Sequence, residues 1–108
     1  MKRGDLVTVV TQGDFGKPRP ALIIQADPFN VAHATITVML ISSEIVASPI
    51  FRLTVEPDAA NGLQKACQLQ ADKVMTLRRE KIGGVFGRLD KETMLAVNRT
   101  LAVFLGIA

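Results

Sequence analysis

The chain contains no tryptophan and no tyrosine, which argues against a platform of successive aromatic faces for stacking single-stranded nucleic acid. Cysteine occurs once, at Cys67, and histidine once, at His33. A lone cysteine excludes an internal disulfide, and nothing points to an oxidising compartment. No CxxC or HxxxH spacing occurs, nor any pair of acidic residues spaced as a ligand set, so neither a metal nor another cofactor is expected. Gly13-x-x-Gly16 lacks both the spacing of a phosphate-cradling loop and a following helix. No nucleophile elbow lies near His33, which reads as an ordinary loop histidine. No segment approaches the roughly 20 apolar residues of a membrane span. No apolar stretch of signal-peptide length follows Met1-Lys2-Arg3-Gly4-Asp5. The expected setting is the cytoplasm, away from membranes.

What is present is a chain of 108 residues, 48% hydrophobic, with a formal charge of +3. That length suits one compact domain over residues 1–108 and is too short for two. The basic balance is compatible with a polyanionic partner. Short β-branched or alternating runs predict strands at 6–10, 21–24, 34–41, 51–56 and 67–72, the last extending through 74–77. A further strand is expected at 85–89, after Gly83-Gly84. Phe51, Leu53 and Val55 point inward, as do Cys67, Leu69 and Ala71, which leaves Gln68, Gln70 and Asp72 on a polar outer face. Turn chemistry fills 26–30, and Asn61-Gly62 suits a hairpin. Arg78-Arg79-Glu80-Lys81 reads as charged surface.

One helix is expected after Asp90, a good N-cap with Glu92 in the first turn, ending at Gly106. Met94, Val97, Leu101 and Phe104, with Leu95 and Leu105 beside them, form its apolar stripe. The fold class is therefore mainly β: a small coiled sheet or barrel with a C-terminal amphipathic helix.

The chain is organised around Gly13-Asp14-Phe15-Gly16-Lys17-Pro18-Arg19-Pro20, a loop running into Ala21-Leu22-Ile23-Ile24. Arg19 sits where that loop feeds a buried strand, with a proline on either side to stiffen its backbone. A guanidinium on so stiff a base suits phosphate or carboxylate, and a structural salt bridge is the other reading. The polar residues at strand ends are Arg19, Ser42, Ser43, Gln70, Asp72 and Thr76. An arginine, a hydroxyl and a carboxylate together suit phosphodiester chemistry without a metal. Arginine neutralises charge on the phosphorane, the hydroxyl adds a hydrogen bond, and the carboxylate draws the proton from a ribose 2′-OH. Taken singly, Ser42 and Ser43 read rather as loop-capping hydroxyls and Asp72 as a solvated strand end.

Four segments in order resemble the MazF/PemK family of toxin–antitoxin systems. These are Arg3-Gly4-Asp5-Leu6-Val7, Lys17-Pro18-Arg19-Pro20-Ala21-Leu22-Ile23-Ile24-Gln25, Val38-Met39-Leu40-Ile41-Ser42-Ser43 and Leu69-Gln70-Ala71-Asp72-Lys73-Val74-Met75-Thr76-Leu77. The closing amphipathic helix also fits. The resemblance implies an SH3-like β-barrel homodimer that cuts single-stranded RNA at short sequences, leaving a 2′,3′-cyclic phosphate and a 5′-OH. A cognate antitoxin would hold it inactive.

By position, the resemblance implies that Arg19, Ser42 and Asp72 are catalytic, the last as base. Lys17, Ser43, Gln70, Thr76 and Arg78 would bind RNA. Gln70 stands where some members carry a second functional arginine, and Lys73 and Met75 replace a common glutamine and arginine. Homodimerisation is expected to cover apolar surface on the C-terminal stripe and on residues 38–41. The alternative is a CcdB-like toxin, which shares the fold but poisons DNA gyrase by binding.

Overall fold

The computed structural model describes residues 1–13, 16–47 and 50–107. Asp14 and Phe15, at the centre of the expected glycine–proline loop, lie outside the described residues. The elements run β1 (Asp5–Val10), β2 (Pro18–Ile23), α1 (Asp27–Asn30), β3 (Thr35–Ser42), β4 (Arg52–Val55), β5 (Cys67–Arg78), a 3-10 turn at Arg79–Lys81, β6 (Ile82–Arg88) and α2 (Lys91–Leu105). The expected mainly-β architecture with a C-terminal helix stands. The six strands form one antiparallel sheet in the order β4-β5-β3-β2-β1-β6.

The sheet is not closed, because β4 and β6 are its two edges. The loop after β4 bridges part of the gap. Arg88 N–H of β6 donates to the Ala60 carbonyl at 2.9 Å. That loop is not the tight Asn61-Gly62 hairpin expected from the sequence. Asn61 is buried and braces it instead: its Oδ1 accepts from Asp58 and Leu63 N–H, and its Nδ2 donates to the Glu56 carbonyl.

Both faces of the sheet are covered. Leu6, Leu22, Met39, Leu69 and Val97 belong to one core, into which Met94 and Leu101 of α2 pack. Val7, Val9, Ala21, Ile23, Ile36 and Val38 form a second, supplied by strands alone, so the sheet coils round it. Val38, Met39 and Ile41 are thus buried within the chain. They offer no apolar surface to a second copy, contrary to expectation.

Helix α2 begins and ends where its local chemistry requires. Asp90 Oδ1 accepts from Thr93 N–H at 2.7 Å, which also holds its carboxyl below the usual range. Gly106 takes the left-handed conformation at φ 74°, and Ile107 N–H returns to the Ala102 carbonyl. The apolar stripe divides. Met94, Val97 and Leu101 face the core and Phe104 meets Phe51 at 5.7 Å, whereas Leu95 and Leu105 are exposed with Val103 and Ile107.

Three further readings change. Pro18, Arg19 and Pro20 belong to β2 and not to a loop. They pair with β1 only, because the β3 register begins at Ala21, so the prolines lack a neighbour that would need their missing N–H. Residues 27–30 form one helical turn, with Pro28 in its first positions, where no N–H is needed. Gly83 and Gly84 lie inside β6, and a Cβ on Gly83 would overlap Thr8 Oγ1 across the strand pair.

Candidate active site

A groove of about 810 Å³ opens at one end of the sheet. Its walls are Arg19 and Pro20 of β2, the end of β3 through Ser42 and Ser43, residues 62–65 of the braced loop, and Phe86 of β6. Cys67, Gln70 and Lys73 of β5 complete it. Arg19, Lys65 and Lys73 contribute positive charge, and no carboxylate is among the described lining residues. Such a surface attracts a polyanion over a distance and is weakened by salt.

The floor owes its shape to an irregularity in β5. Ile41 of β3 pairs with Leu69 and Met39 pairs with Val74, so Leu40 alone faces residues 70–73. A bulge of this kind bends a strand and redirects side chains, and bulges are frequent beside functional sites. It accounts for the failure of simple alternation from Gln70 onward. Gln68 and Gln70 were expected on a polar outer face, yet both are buried. Gln68 is covered by the segment following β3: its Oε1 accepts from Val46 N–H and its Nε2 donates to the Val46 carbonyl.

Four of the eight expected site residues line the groove: Arg19, Ser42, Ser43 and Gln70. The Ser42 hydroxyl oxygen accepts from Glu44 N–H at 3.0 Å, which leaves its proton free to donate outward. Lys17, Asp72, Thr76 and Arg78 are not among the lining residues. Thr76 shares a hydroxyl–hydroxyl bond of 2.7 Å with Thr37, its partner across β3 and β5. Arg78 is exposed at the far end of β5, opposite Thr35. Sequence reasoning did not pick out Lys65, and treated Lys73 only as a departure from a motif. The bulge that brings Lys73 to the groove depends on the β3 register and has no local signal.

Asp72 is neither a solvated strand end nor free of partners. Arg52 on β4 donates Nε to Oδ1 at 2.8 Å and a terminal nitrogen to Oδ2 at 2.9 Å. This fork holds the Asp72 carboxyl below its ordinary value, with the hydrogen bonds from Arg52 as the main cause. A carboxylate so engaged is a weakened base. Its folded-state pKa is depressed, so its stabilising contribution is complete above the ordinary carboxylate range and disappears as pH falls through the lowered value. Asp72→Asn is expected to lower stability by about 1–2 kcal/mol at neutral pH, the side chains being only 23% and 12% exposed. That difference should shrink on acidification, as read by thermal melting across pH. A gap that stays constant down to pH ~2 would show that the charge on Asp72 contributes nothing.

Cys67 is buried, and burial raises its thiol pKa against the smaller opposing pull of Lys65. It is the small core residue the sequence suggested. No group of three or more His, Cys, Asp or Glu side chains able to hold a metal ion occurs among the described residues. No helix among them is long and apolar enough to cross a membrane.

Known proteins resemble this chain in sequence and in fold. Residues 2–105 match the family model described as PemK-like, MazF-like toxin of type II toxin-antitoxin systems. The chain is 42% identical over 109 residues to a protein of Mycolicibacterium smegmatis named "Probable endoribonuclease MazF", covering 100% of this chain and 99% of the relative. In fold it resembles an endoribonuclease from a mycobacterial species solved in complex with its cognate antitoxin, with a TM-score of 0.84 at 21% identity, covering 100% of this chain and 97% of that one. It also resembles the MazF-mt6 toxin of Mycobacterium tuberculosis, with a TM-score of 0.83 at 19% identity, covering 96% of this chain and 98% of that one. A match of this extent to the family model, together with a relative 42% identical over its whole length, leaves one assignment: the chain belongs to the PemK-like, MazF-like family of type II toxins.

Proposed function

We infer that this chain is the toxin of a toxin–antitoxin pair and an endoribonuclease that cuts single-stranded RNA within the groove. The observation that carries this reading is a lining that joins Arg19 and Ser42 with Lys65 and Lys73 and has no carboxylate among its described residues. The 2′-hydroxyl oxygen of the substrate attacks the adjacent phosphorus and the P–O5′ bond breaks, giving a 2′,3′-cyclic phosphate and a 5′-OH. Arg19 faces the charge that grows on the phosphoryl oxygens, and its planar fork can meet two of them. Ser42 donates its free proton to the same group. The 2′ proton passes to a solvent base, and the leaving 5′-oxygen takes up a proton.

Asp72 acts in this scheme through Arg52, as a positioning residue that fixes the bulge under the groove. Cleavage by Asp72→Asn within tenfold of the parent rate fits that role, whereas a loss as large as that of Arg19→Ala would restore Asp72 as the base. Ser43 and Gln70 contact RNA inside the groove, with Lys17 and Arg78 as outlying cations and Thr76 beyond it.

Because the attacking oxygen belongs to the substrate, cleavage of RNA is expected to persist in EDTA, and DNA of the same sequence is expected to resist. Activity abolished by chelation and restored by magnesium would sink this mechanism. A second copy of the chain covers the exposed Leu95, Val103, Leu105 and Ile107 face of α2. Sedimentation at micromolar concentration should give a dimer, and a monomer cutting at full rate would remove this part. A cognate antitoxin that is acidic and disordered until bound competes with RNA for the cationic groove.

A further inference from the structure

Two glutamines stand two residues apart on β5, both buried, and they are used differently. Gln68 is 3% exposed and its amide is spent inside the fold, on Val46 N–H, the Val46 carbonyl and Thr54 Oγ1. Gln70 is 7% exposed and lines the groove, and among the described residues its side-chain amide has no hydrogen-bond partner. Among the described residues the buried side-chain atom left without a partner is Asn30 Oδ1, so the Gln70 amide reaches the groove and offers hydrogen-bonding capacity that the fold itself does not use.

The backbone beneath this side chain is fixed from one side by β4. Gln70 pairs with Arg52, and Ala71 N–H donates to the Phe51 carbonyl at 3.0 Å. Arg52 also clamps Asp72 two residues further on. The side chain therefore springs from a fixed backbone, while no described residue engages its donor or acceptor. Around it, Lys65, Lys73 and Arg19 supply the charge that a phosphate backbone needs, and such contacts carry no sequence information. A neutral amide has the opposite character, because its N–H₂ and C=O side by side match a base edge that offers an acceptor next to a donor.

We propose that Gln70 reads one nucleobase of the RNA in the groove and so determines part of the cleavage sequence. This rests on the RNA-cleaving reading above. The ligand is the hydrogen-bonding edge of a base next to the phosphate that Arg19 engages, and Gln70 is a specificity residue with no part in bond breaking.

The test maps new 5′ ends on a long RNA of mixed sequence, cut by the parent protein, Gln70→Met and Gln70→Glu, each checked by thermal melting. Methionine keeps the length of the side chain and removes both hydrogen-bonding groups, while glutamate keeps the shape and offers acceptors only. The parent is expected to favour one base at a position beside the cut. Gln70→Met should reduce that preference by roughly tenfold while preferences at other positions persist. Gln70→Glu should shift it towards bases that present an amino group, adenine, cytosine or guanine, and away from uracil. The same base preferences in all three proteins would overturn the proposal with the RNA-cleaving reading intact. A uniform loss of cleavage at every sequence by folded variants would also overturn it, by placing Gln70 in the chemistry. RNA left intact by the parent itself would remove the reading underneath and this proposal with it.

Discussion

Arg19→Lys is expected to slow RNA cleavage about a hundredfold, nearly as much as Arg19→Ala, with little change in melting temperature. Arg19 lies in β2 opposite Val9, between two prolines whose fixed φ leaves the backbone little freedom. Lysine keeps the positive charge and so keeps most of the long-range attraction for RNA. What it loses is the planar fork that can meet two phosphoryl oxygens at once as charge moves onto them. Preorganised donors of this kind are worth about 3 kcal/mol in the transition state, which sets the hundredfold figure. The loss should fall mainly on the maximal rate, with RNA binding changed less. Single-turnover cleavage together with binding measured on uncut RNA separates the two. A lysine variant that cuts within threefold of the parent would make Arg19 a diffuse charge and remove the clamp from the mechanism.

The second large effect concerns the fold around the groove. Gly87→Ala is expected to destabilise the protein by about 3 kcal/mol, lowering the melting temperature by on the order of 10 °C. A Cβ at Gly87 would overlap the backbone carbonyl of Asn61, an atom that cannot rotate away as a side chain could. Asn61 in turn anchors the loop that bridges the two sheet edges, through Asp58, Leu63 and Glu56. Residues 62–65 of that loop form one wall of the groove, so cleavage should fall together with stability. Gly84→Ala is the control: nothing lies within 4 Å of its added Cβ, and its melting temperature should stay within a few degrees of the parent. If Gly87→Ala melted like Gly84→Ala, the loop would not be locked to β6 in the way described.

What could be read in advance, and what could not, follows from how far apart the deciding residues are. Helix α2 was legible to its ends, because Asp90, Glu92 and Gly106 act on their immediate neighbours. The strands were legible from short apolar runs. The extent of β2 was not, because Pro18 and Pro20 discourage a strand unless β3 is known to start its pairing only at Ala21. The resemblance identified Arg19 and Ser42, and both line the groove. Asp72 was misjudged in its surroundings, since its partner Arg52 lies 20 residues earlier and meets it only through the β4–β5 pairing. Lys73 and Gln70 turn towards the groove because of a bulge fixed by β3, which leaves no mark on β5 itself. Gln68 looked like surface by alternation, and Val46, 22 residues away, buries it.

The central claim is that the groove cuts RNA by attack of the substrate's own 2′-hydroxyl. Its most direct test is to incubate the purified protein with a long single-stranded RNA and determine the chemistry of both new ends at each cut. The account predicts 5′-hydroxyl and 2′,3′-cyclic phosphate termini, produced by the parent protein and suppressed about a hundredfold by Arg19→Ala. Termini carrying a 5′-phosphate and a 3′-hydroxyl, or uncut RNA beside inhibition of DNA gyrase by the same preparation, would contradict it.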